Sequence, residues 1–190
     1  IYNNIFTDDF KSNYFTLNFL MPLNEKTSTG CALLAQVLKR GCQKYGEMDQ
    51  ITASLEKLYG ADIQISSDKV GENISFTAQA SFLDNSFALN GEDICGQALD
   101  ILAELLLRPF VEDDAFPSRY FLQEKQNLAD YIKSQMNDKR VYSVLRCKEI
   151  MFSDRPYRFG SNGTLECLES MTAQSLYAFY RDMLAGSGIM

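Results

Sequence analysis

The order of the predicted elements indicates an α+β fold, in which an antiparallel sheet is covered on one face by helices. One strand and two helices come first, two strands follow, and the rest of the chain is helical. Strands and helices are therefore segregated and do not alternate regularly. The 190 residues show no internal repeat, low-complexity run or linker, and 46% of them are hydrophobic. We expect residues 1–190 to form a single domain with a substantial core.

The chain opens with a strand and a buried helix. Residues 14–20 are rich in aromatic side chains and alternate imperfectly, which predicts a strand. Residues 31–39 are almost wholly apolar, which predicts a helix buried on most faces and stopped by Gly41. Three hydroxyl side chains ahead of this helix are its N-cap candidates: Thr27, Ser28 and Thr29.

A second helix and a hairpin follow. Residues 47–59 carry apolar side chains at i, i+4 and i+7, with Asp49 as the predicted cap. Residues 61–67 and 73–80 alternate between apolar and polar side chains. They predict two antiparallel strands joined by a longer loop around Gly71.

The second half of the chain is predicted to be helical. Four helices are expected, at residues 92–107, 115–135, 138–151 and 172–184. Pro117 fits the first turn of the second of them, Asp138 caps the third and Thr172 caps the fourth. Residues 83–91 and 156–163 predict loops.

Composition excludes several functions. A net charge of −7 and a pI of about 4.7 argue against binding to nucleic acid or to an anionic membrane. Histidine is absent, so the usual general base, the usual zinc ligand and Ser-His or Cys-His nucleophiles are absent too. The five cysteines include no CxxC pair, which favours reduced thiols in a cytosolic protein and disfavours a cysteine zinc site: Cys31, Cys42, Cys95, Cys147 and Cys167.

Other polar groups have ordinary structural interpretations. Gly160 and Gly163 fit a plain turn better than an anion site. The carboxylates at residues 112–114 fit a helix N-terminus better than a catalytic pair, although Glu166 and Glu169 also lie close together. Core packing is expected for four aromatic residues: Tyr120, Phe121, Tyr131 and Tyr142. From the residues alone, the chain is a soluble α+β domain without a visible active site.

Five segments, in this order, carry a resemblance to a known family. They are GCALLAQVLKRGC (30–42), LEKLYGADIQISSDKVGENISF (55–76), ALDILAELLLRPFVEDDAF (98–116), EKQNLADYIKSQMNDK (124–139) and RPYRFGSNGTLECLESMTAQSLYAFY (155–180). Together they resemble the N-terminal domain of the pitrilysin/insulinase zinc peptidases, the inverzincins. The resemblance implies a mitochondrial-processing-peptidase-like metallohydrolase domain.

In that family a helix carries HxxEH, whose two histidines bind zinc and whose glutamate acts as general base. The resemblance places the two histidines on Leu33 and Val37 and the glutamate on Gln36. The third ligand, a glutamate seven residues beyond Glu124, falls on Tyr131. Leu and Val have no lone pair to donate, and Gln takes up no proton at neutral pH. The resemblance therefore implies no catalytic residue, no metal and no cofactor.

Some members of this family work as pairs, in which one subunit carries zinc and the other does not. The chain is thus expected to be a bacterial, cytoplasmic, non-catalytic partner of an HxxEH-bearing sister subunit, and part of a longer two-domain subunit. An extended peptide is the expected substrate of the shared chamber, held at a sheet edge formed by residues 63–67 or 74–80. Two alternatives stay open: a scaffold without substrate contact, and a zinc peptidase with non-standard ligands.

Overall fold

The computed structural model describes residues 3–7, 9–186 and 188–189, the last two through their backbone alone. The strands are β1 (Ser12–Pro22), β2 (Asp62–Val70), β3 (Asn73–Leu83) and β4 (Gly188–Ile189). The helices are α1 (Glu25–Leu38), α2 (Met48–Lys57), α3 (Ile94–Leu107), α4 (Ser118–Asn137), α5 (Lys139–Met151), α6 (Leu165–Ser170) and α7 (Ala173–Gly186). The prediction of an α+β fold is confirmed.

The strands form one antiparallel sheet in the order β2-β3-β1-β4. β3 pairs along its whole length with β1 on one side, and β2 pairs with it on the other. The prediction of a sheet edge at residues 74–80 was therefore wrong, because this segment lies in a central strand. Residues 63–67 do lie at an edge, since β2 has a paired neighbour on one side only among the described residues.

The two faces of the sheet differ in chemistry. On the inner face Phe19 lies opposite Phe76, and the two rings meet edge to face at 6.3 Å. On the outer face Asn18 accepts a hydrogen bond from Thr77 at 2.8 Å, in a network of polar side chains. Helices α1, α3 and α7 contact the sheet, and its buried apolar residues belong to one continuous cluster. Successive side chains of β1 and β3 point to opposite faces of the sheet, so alternate residues lie in the core and at the surface.

Helix α1 begins earlier than predicted. Its N-cap is Asn24, whose side chain accepts from the backbone N–H of Thr27 at 2.9 Å. The predicted caps Ser28 and Thr29 lie inside the helix, where their hydroxyls donate to the carbonyls of Asn24 and Glu25. Thr27 does take part in the cap, since its hydroxyl oxygen accepts from the backbone N–H of Asn24 at 3.0 Å. The prediction failed for Ser28 and Thr29 because a hydroxyl that bonds to the carbonyl four residues back is compatible with a helix interior.

Three further boundaries differ from the predictions. Asp49 does not cap α2, because that helix starts at Met48 and Asp49 lies in its first turn. The hairpin loop is short, since Val70 pairs directly with Asn73 and Gly71 adopts a φ of 61°. Pro117 is the N-cap of α4, so the helix starts after the predicted residue 115.

Other predictions have mixed outcomes. The carboxylates at residues 112–114 lie in a tight turn closed by Glu112 and Ala115, not at the start of a helix. Asp138 caps α5 and Thr172 accepts from Ser175 at the start of α7, as predicted. The short helix α6 was not predicted. No helix among the described residues is long and apolar enough to cross a bilayer.

Candidate functional site

The candidate site lies where the C-terminal half of α1 packs against α4. Leu33 and Val37 stand one helical turn apart and are buried, at 0% and 4% exposure. Gln36, between them in sequence, is exposed. The two positions to which the resemblance assigns histidines are therefore part of the apolar core of the domain.

Tyr131 lies on α4 and is 51% exposed, so the expectation of core packing is wrong for this residue. Tyr142 on α5 is also exposed, at 40%, whereas Phe121 is buried and Tyr120 is half-buried. The error has a physical cause: aromatic residues at helical spacing mark the core only where another element covers that face.

Glu124 is the charged group at the centre of this junction. It lies on α4 and is 5% exposed. One of its carboxylate oxygens, Oε1, accepts from Nε of Arg40 and also forms an ion pair with Nη2 of the same guanidinium. The other oxygen, Oε2, accepts from the side-chain amide of Asn127 at 3.2 Å. Both oxygens of this buried carboxylate are thus hydrogen-bonded.

Lys39, the C-cap of α1, lies close to the same charge. Burial lowers the pKa of its ammonium below the ordinary value, while Glu124 and Asp62 act in the opposite direction. Among the described residues Lys39 forms no ion pair. Its half-buried ammonium lines a groove between α2 and β2.

That groove has a volume of about 240 Å³ and is lined in part by β2, which has one unpaired edge in the part of the chain that the structure describes. Its walls are mostly apolar and include Ile51, Leu55, Ile63, Ile65 and Leu105. An apolar groove next to a free strand edge offers backbone hydrogen bonds and side-chain burial to an extended chain.

The side chains present do not fit a zinc ion. Zinc takes imidazole, thiolate or carboxylate ligands, and Leu33 and Val37 offer none of them. Across residues 3–7, 9–186 and 188–189, no group of three or more Asp, Glu, Cys or His side chains is placed to hold a metal. Burial raises the pKa of the nearby Cys31 thiol to about 12, so this group is not a thiolate at neutral pH.

The sequence did not predict the contact between Arg40 and Glu124. Glu124 shares the buried face of α4 with Phe121 and Leu128, but the two residues of the pair are 84 positions apart and no pattern links them. In the resemblance, Glu124 only fixes the position of Tyr131, and this gave no reason to expect a partner for the Glu124 carboxylate.

No protein-family model matches the chain, but individual proteins do. The "Probable inactive metalloprotease YmfF" of Bacillus subtilis (strain 168) is 31% identical over 178 residues, which cover 94% of this chain and 42% of that protein. A conserved protein from Enterococcus faecalis V583 is 28% identical, with a TM-score of 0.92 over 96% of this chain and 43% of that one.

A third similar structure is the inactive domain of a peptidase M16 from Pseudomonas fluorescens. It is 18% identical, with a TM-score of 0.67, and the match covers 92% of this chain and 39% of that one. The chain thus spans about two fifths of the length of each of these relatives.

Fold and site together define a domain with the fold of M16 peptidase domains, in which apolar side chains stand at the two positions that the resemblance assigns to histidines. The chain is a homologue of a probable inactive metalloprotease, and it has the fold of M16 peptidase domains without the HxxEH motif. The resemblance found in the sequence is confirmed.

Proposed function

We propose that this protein is a non-catalytic M16-type subunit that pairs with an HxxEH-bearing sister and helps to enclose a peptide. The observation that carries the proposal is the burial of Leu33 and Val37 in a well-packed helix, next to an exposed Gln36. Side chains without lone pairs cannot bind zinc, and Gln36 cannot act as a general base. A degraded fragment would not keep this packing, so a role that needs the fold but not the metal is favoured.

The peptide is proposed to bind along β2. This strand has one edge that no other described residue pairs with, and the groove of about 240 Å³ beside it is lined by Ile63 and Ile65 from the same strand. An extended peptide that added a strand here would gain backbone hydrogen bonds and bury an apolar side chain in the groove.

The proposal includes a wider setting. The relatives are more than twice as long as this chain, so we propose that it is the N-terminal domain of a two-domain subunit. A bacterial cytoplasm is the proposed compartment, which is consistent with five free cysteines.

The test is a peptidase assay on three samples: this protein as a full-length subunit, the HxxEH-bearing sister, and their mixture, each with and without a zinc chelator. We expect the mixture to be more active than the sister alone, and the chelator to abolish that activity. Chelator-sensitive activity from this protein alone would overturn the assignment of Leu33, Gln36 and Val37. It would favour the alternative of non-standard ligands, which no metal cluster among the described residues supports.

A binding assay separates the chamber role from a scaffold role. A fluorescein-labelled casein digest is titrated with the mixture in the presence of the zinc chelator, which prevents cleavage, and binding is followed by fluorescence anisotropy. Ile63→Lys places a charge in the groove and should weaken binding about tenfold or more, whereas the control Val70→Lys, at the far end of the same strand and outside the groove, should leave it unchanged. No binding by the wild-type mixture would favour the scaffold.

A further inference from the structure

We propose that the exposed face of α5 is a docking surface for an acidic amphipathic helix of a partner protein. The surface consists of four apolar side chains that are open to solvent, with basic side chains around them. The inference goes beyond the proposed function, because it depends neither on a peptide in the groove nor on a zinc-bearing sister subunit.

The apolar part of this surface follows one face of the helix. Val144, Cys147 and Met151 recur at i, i+3 and i+7, a spacing that places side chains next to one another. The sulfurs of Cys147 and Met151 lie 3.5 Å apart, so the structure has them on the same face. Ile150, three residues beyond Cys147, widens this face. All four side chains are exposed, Ile150 and Met151 by 68% and 69%, and we call them the α5 strip.

A different face of α5 packs on the domain. Leu145, Lys148 and Phe152 each lie one residue beyond a member of the strip, and all three are half-buried. The helix contacts α4 and the short turn at residues 156–158. The α5 strip is therefore directed away from the contacts that hold α5 in place.

Basic residues are concentrated around the strip. Residues 139–158 contain six of the 18 Lys and Arg residues but only two of the 25 Asp and Glu residues. The whole chain has a net charge of −7, so the remainder is strongly acidic. Within the described part of the chain, Lys139, Arg140 and Lys148 form no ion pair. Much of the positive charge at α5 is thus left for a partner to neutralise.

Two of these charges are placed where they do not favour the helix itself. Lys139 and Arg140 occupy the first turn of α5, where the helix dipole favours acidic side chains. The cap does not need them, because Asp138 accepts from the backbone N–H groups of Arg140 and Val141 at 2.9 and 3.1 Å. Arg140 also lies four residues before Val144, on the face of the strip. Basic side chains that oppose their own helix point to a role outside it.

The chemistry of the surface selects among partners. A second copy packed α5 against α5 would bring two positively charged helices together. An anionic membrane would repel the acidic remainder of the chain, and nucleic acid offers phosphates but no match for the apolar strip. An acidic helix with its own apolar row complements both features, because rows of side chains on two helices interlock.

A peptide-binding experiment on the whole chain tests the inference. The probes are two fluorescein-labelled synthetic helices with Leu at i, i+3, i+4 and i+7, flanked by Glu in one and by Lys in the other. Binding is followed by fluorescence anisotropy at low and at high salt. We expect the Glu peptide to bind at least about tenfold more tightly than the Lys peptide, and its affinity to fall as the salt concentration rises.

A charge reversal tests the basic part of the surface. Arg140→Glu should weaken binding of the Glu peptide at least about fivefold, yet leave the melting temperature unchanged or higher, because Glu suits the first turn of a helix. A purely structural role would not separate these two effects. The matched control is Lys26→Glu in the first turn of α1, an exposed residue that should leave the affinity unchanged. If Arg140→Glu does not fold, Arg140→Gln takes its place.

A second variant tests the apolar part. Ile150→Gln combined with Met151→Gln should weaken binding of the Glu peptide about tenfold or more, because both side chains lose apolar contact area. The matched control is Leu89→Gln, which changes an apolar side chain that is 84% exposed in a loop. It should leave the affinity unchanged.

Four results would overturn the inference. They are equal affinity for the two peptides, no binding of the Glu peptide at about 1 mM, equal effects of Arg140→Glu and Lys26→Glu, and equal effects of the apolar variant and Leu89→Gln. Self-association of the chain that Arg140→Glu abolishes would assign the surface to a second copy instead. Binding to phosphatidylserine vesicles, without binding of the Glu peptide, would assign it to a membrane. No sister subunit is used, so failure here is distinguishable from failure of the mixed peptidase assay.

Discussion

Tyr180 joins two helices through a buried phenol. Its hydroxyl donates to the carbonyl oxygen of Leu106 at 2.8 Å, and its ring packs edge to face against Phe116. Burial, and to a smaller extent Tyr177, raises the pKa of Tyr180 from 10.0 to about 12. The folded state therefore favours the neutral phenol, and this contribution to stability is fully present below pH 10.0.

The sign of the pH dependence follows from that shift. The unfolded chain releases the phenol proton near pH 10.0, whereas the folded chain keeps it until about 12, so stability falls as the pH rises through this window. Tyr180→Phe should lower the free energy of unfolding at neutral pH by about 1–3 kcal/mol, because the Leu106 carbonyl loses its donor. It should also flatten the fall in stability above pH 10.0.

Urea unfolding at neutral pH and at several pH values above 10.0 measures both effects. The thiol of Cys31 acts in the same direction, since burial raises its pKa to about 12. Its contribution is present in wild type and variant alike, so the comparison isolates Tyr180. An unchanged slope in Tyr180→Phe would contradict the prediction.

At the level of single residues, the sequence indicated which chemistry the site can support better than which side chains are in contact. The absence of histidine could be read directly, and it decided the chemistry of the site. The pairing of Glu124 with Arg40 could not be predicted, because Arg40 lies 84 residues away in the chain. Long-range polar pairs leave no periodic signal in a sequence.

At the level of the elements, α1 is hydrogen-bonded to the residue that precedes α6. Thr29 accepts a hydrogen bond from the backbone N–H of Thr164 at 3.3 Å, and the hydroxyl of Thr164 donates to Glu25. This approach is so close that a Cβ on Gly163 would lie 2.6 Å from both Cα and Cβ of Thr29. Gly163 also adopts a φ of 73°, a conformation that suits glycine.

Gly163→Ala should therefore destabilise the fold. Backbone strain alone contributes about 1–3 kcal/mol, and the clash with Thr29 adds to it because the obstacle is a helix backbone. Thermal unfolding measures the loss. The matched control is Gly160→Ala in the same loop, where an added Cβ would meet no atom within 4 Å. If the two variants melted at the same temperature, the close approach of the loop to α1 would be disproved.

Periodicity identified every helix longer than α6, and it failed at boundaries and short pieces. Helix α6 has only six residues, too few for a 3.6-residue repeat to show. The start of α1 was missed because hydroxyl side chains serve both as caps and, as at Ser28, as donors to a carbonyl inside the helix. At these points the side chains alone are compatible with more than one helix boundary, and contacts with the rest of the fold decide which one is adopted.

For the molecule as a whole, the order of the strands in the sheet could not be predicted from the sequence. The patterns of β2 and β3 both fit an edge strand, and only the pairing of β3 with β1 decides between them. β1 and β3 are more than fifty residues apart, and alternation alone does not say which strands are neighbours. Among the described residues β2 is therefore the one of these two strands that lies at an edge of the sheet, which is where the proposed peptide would bind.

Local stability is expected to differ between the helices, and α5 is expected to open more easily than α3. None of its residues is buried, and it exposes large apolar side chains: Val141, Tyr142, Val144, Ile150 and Met151. Helix α3, by contrast, buries six residues in the core: Ile94, Ala98, Ile101, Leu102, Leu105 and Leu106. A helix held by few buried contacts opens without global unfolding.

We expect native-state hydrogen exchange to show this difference. After correction for intrinsic rates, backbone amides of α5 should exchange at least about tenfold faster than those of α3, which should open only with global unfolding. Mass spectrometry of peptides from the two helices measures both rates in the same sample, so α3 serves as the internal control. Equal protection in a dilute sample would show that α5 is held by contacts that its exposed side chains do not account for. Protection of α5 that rises with protein concentration would instead show that a second copy of the chain covers it.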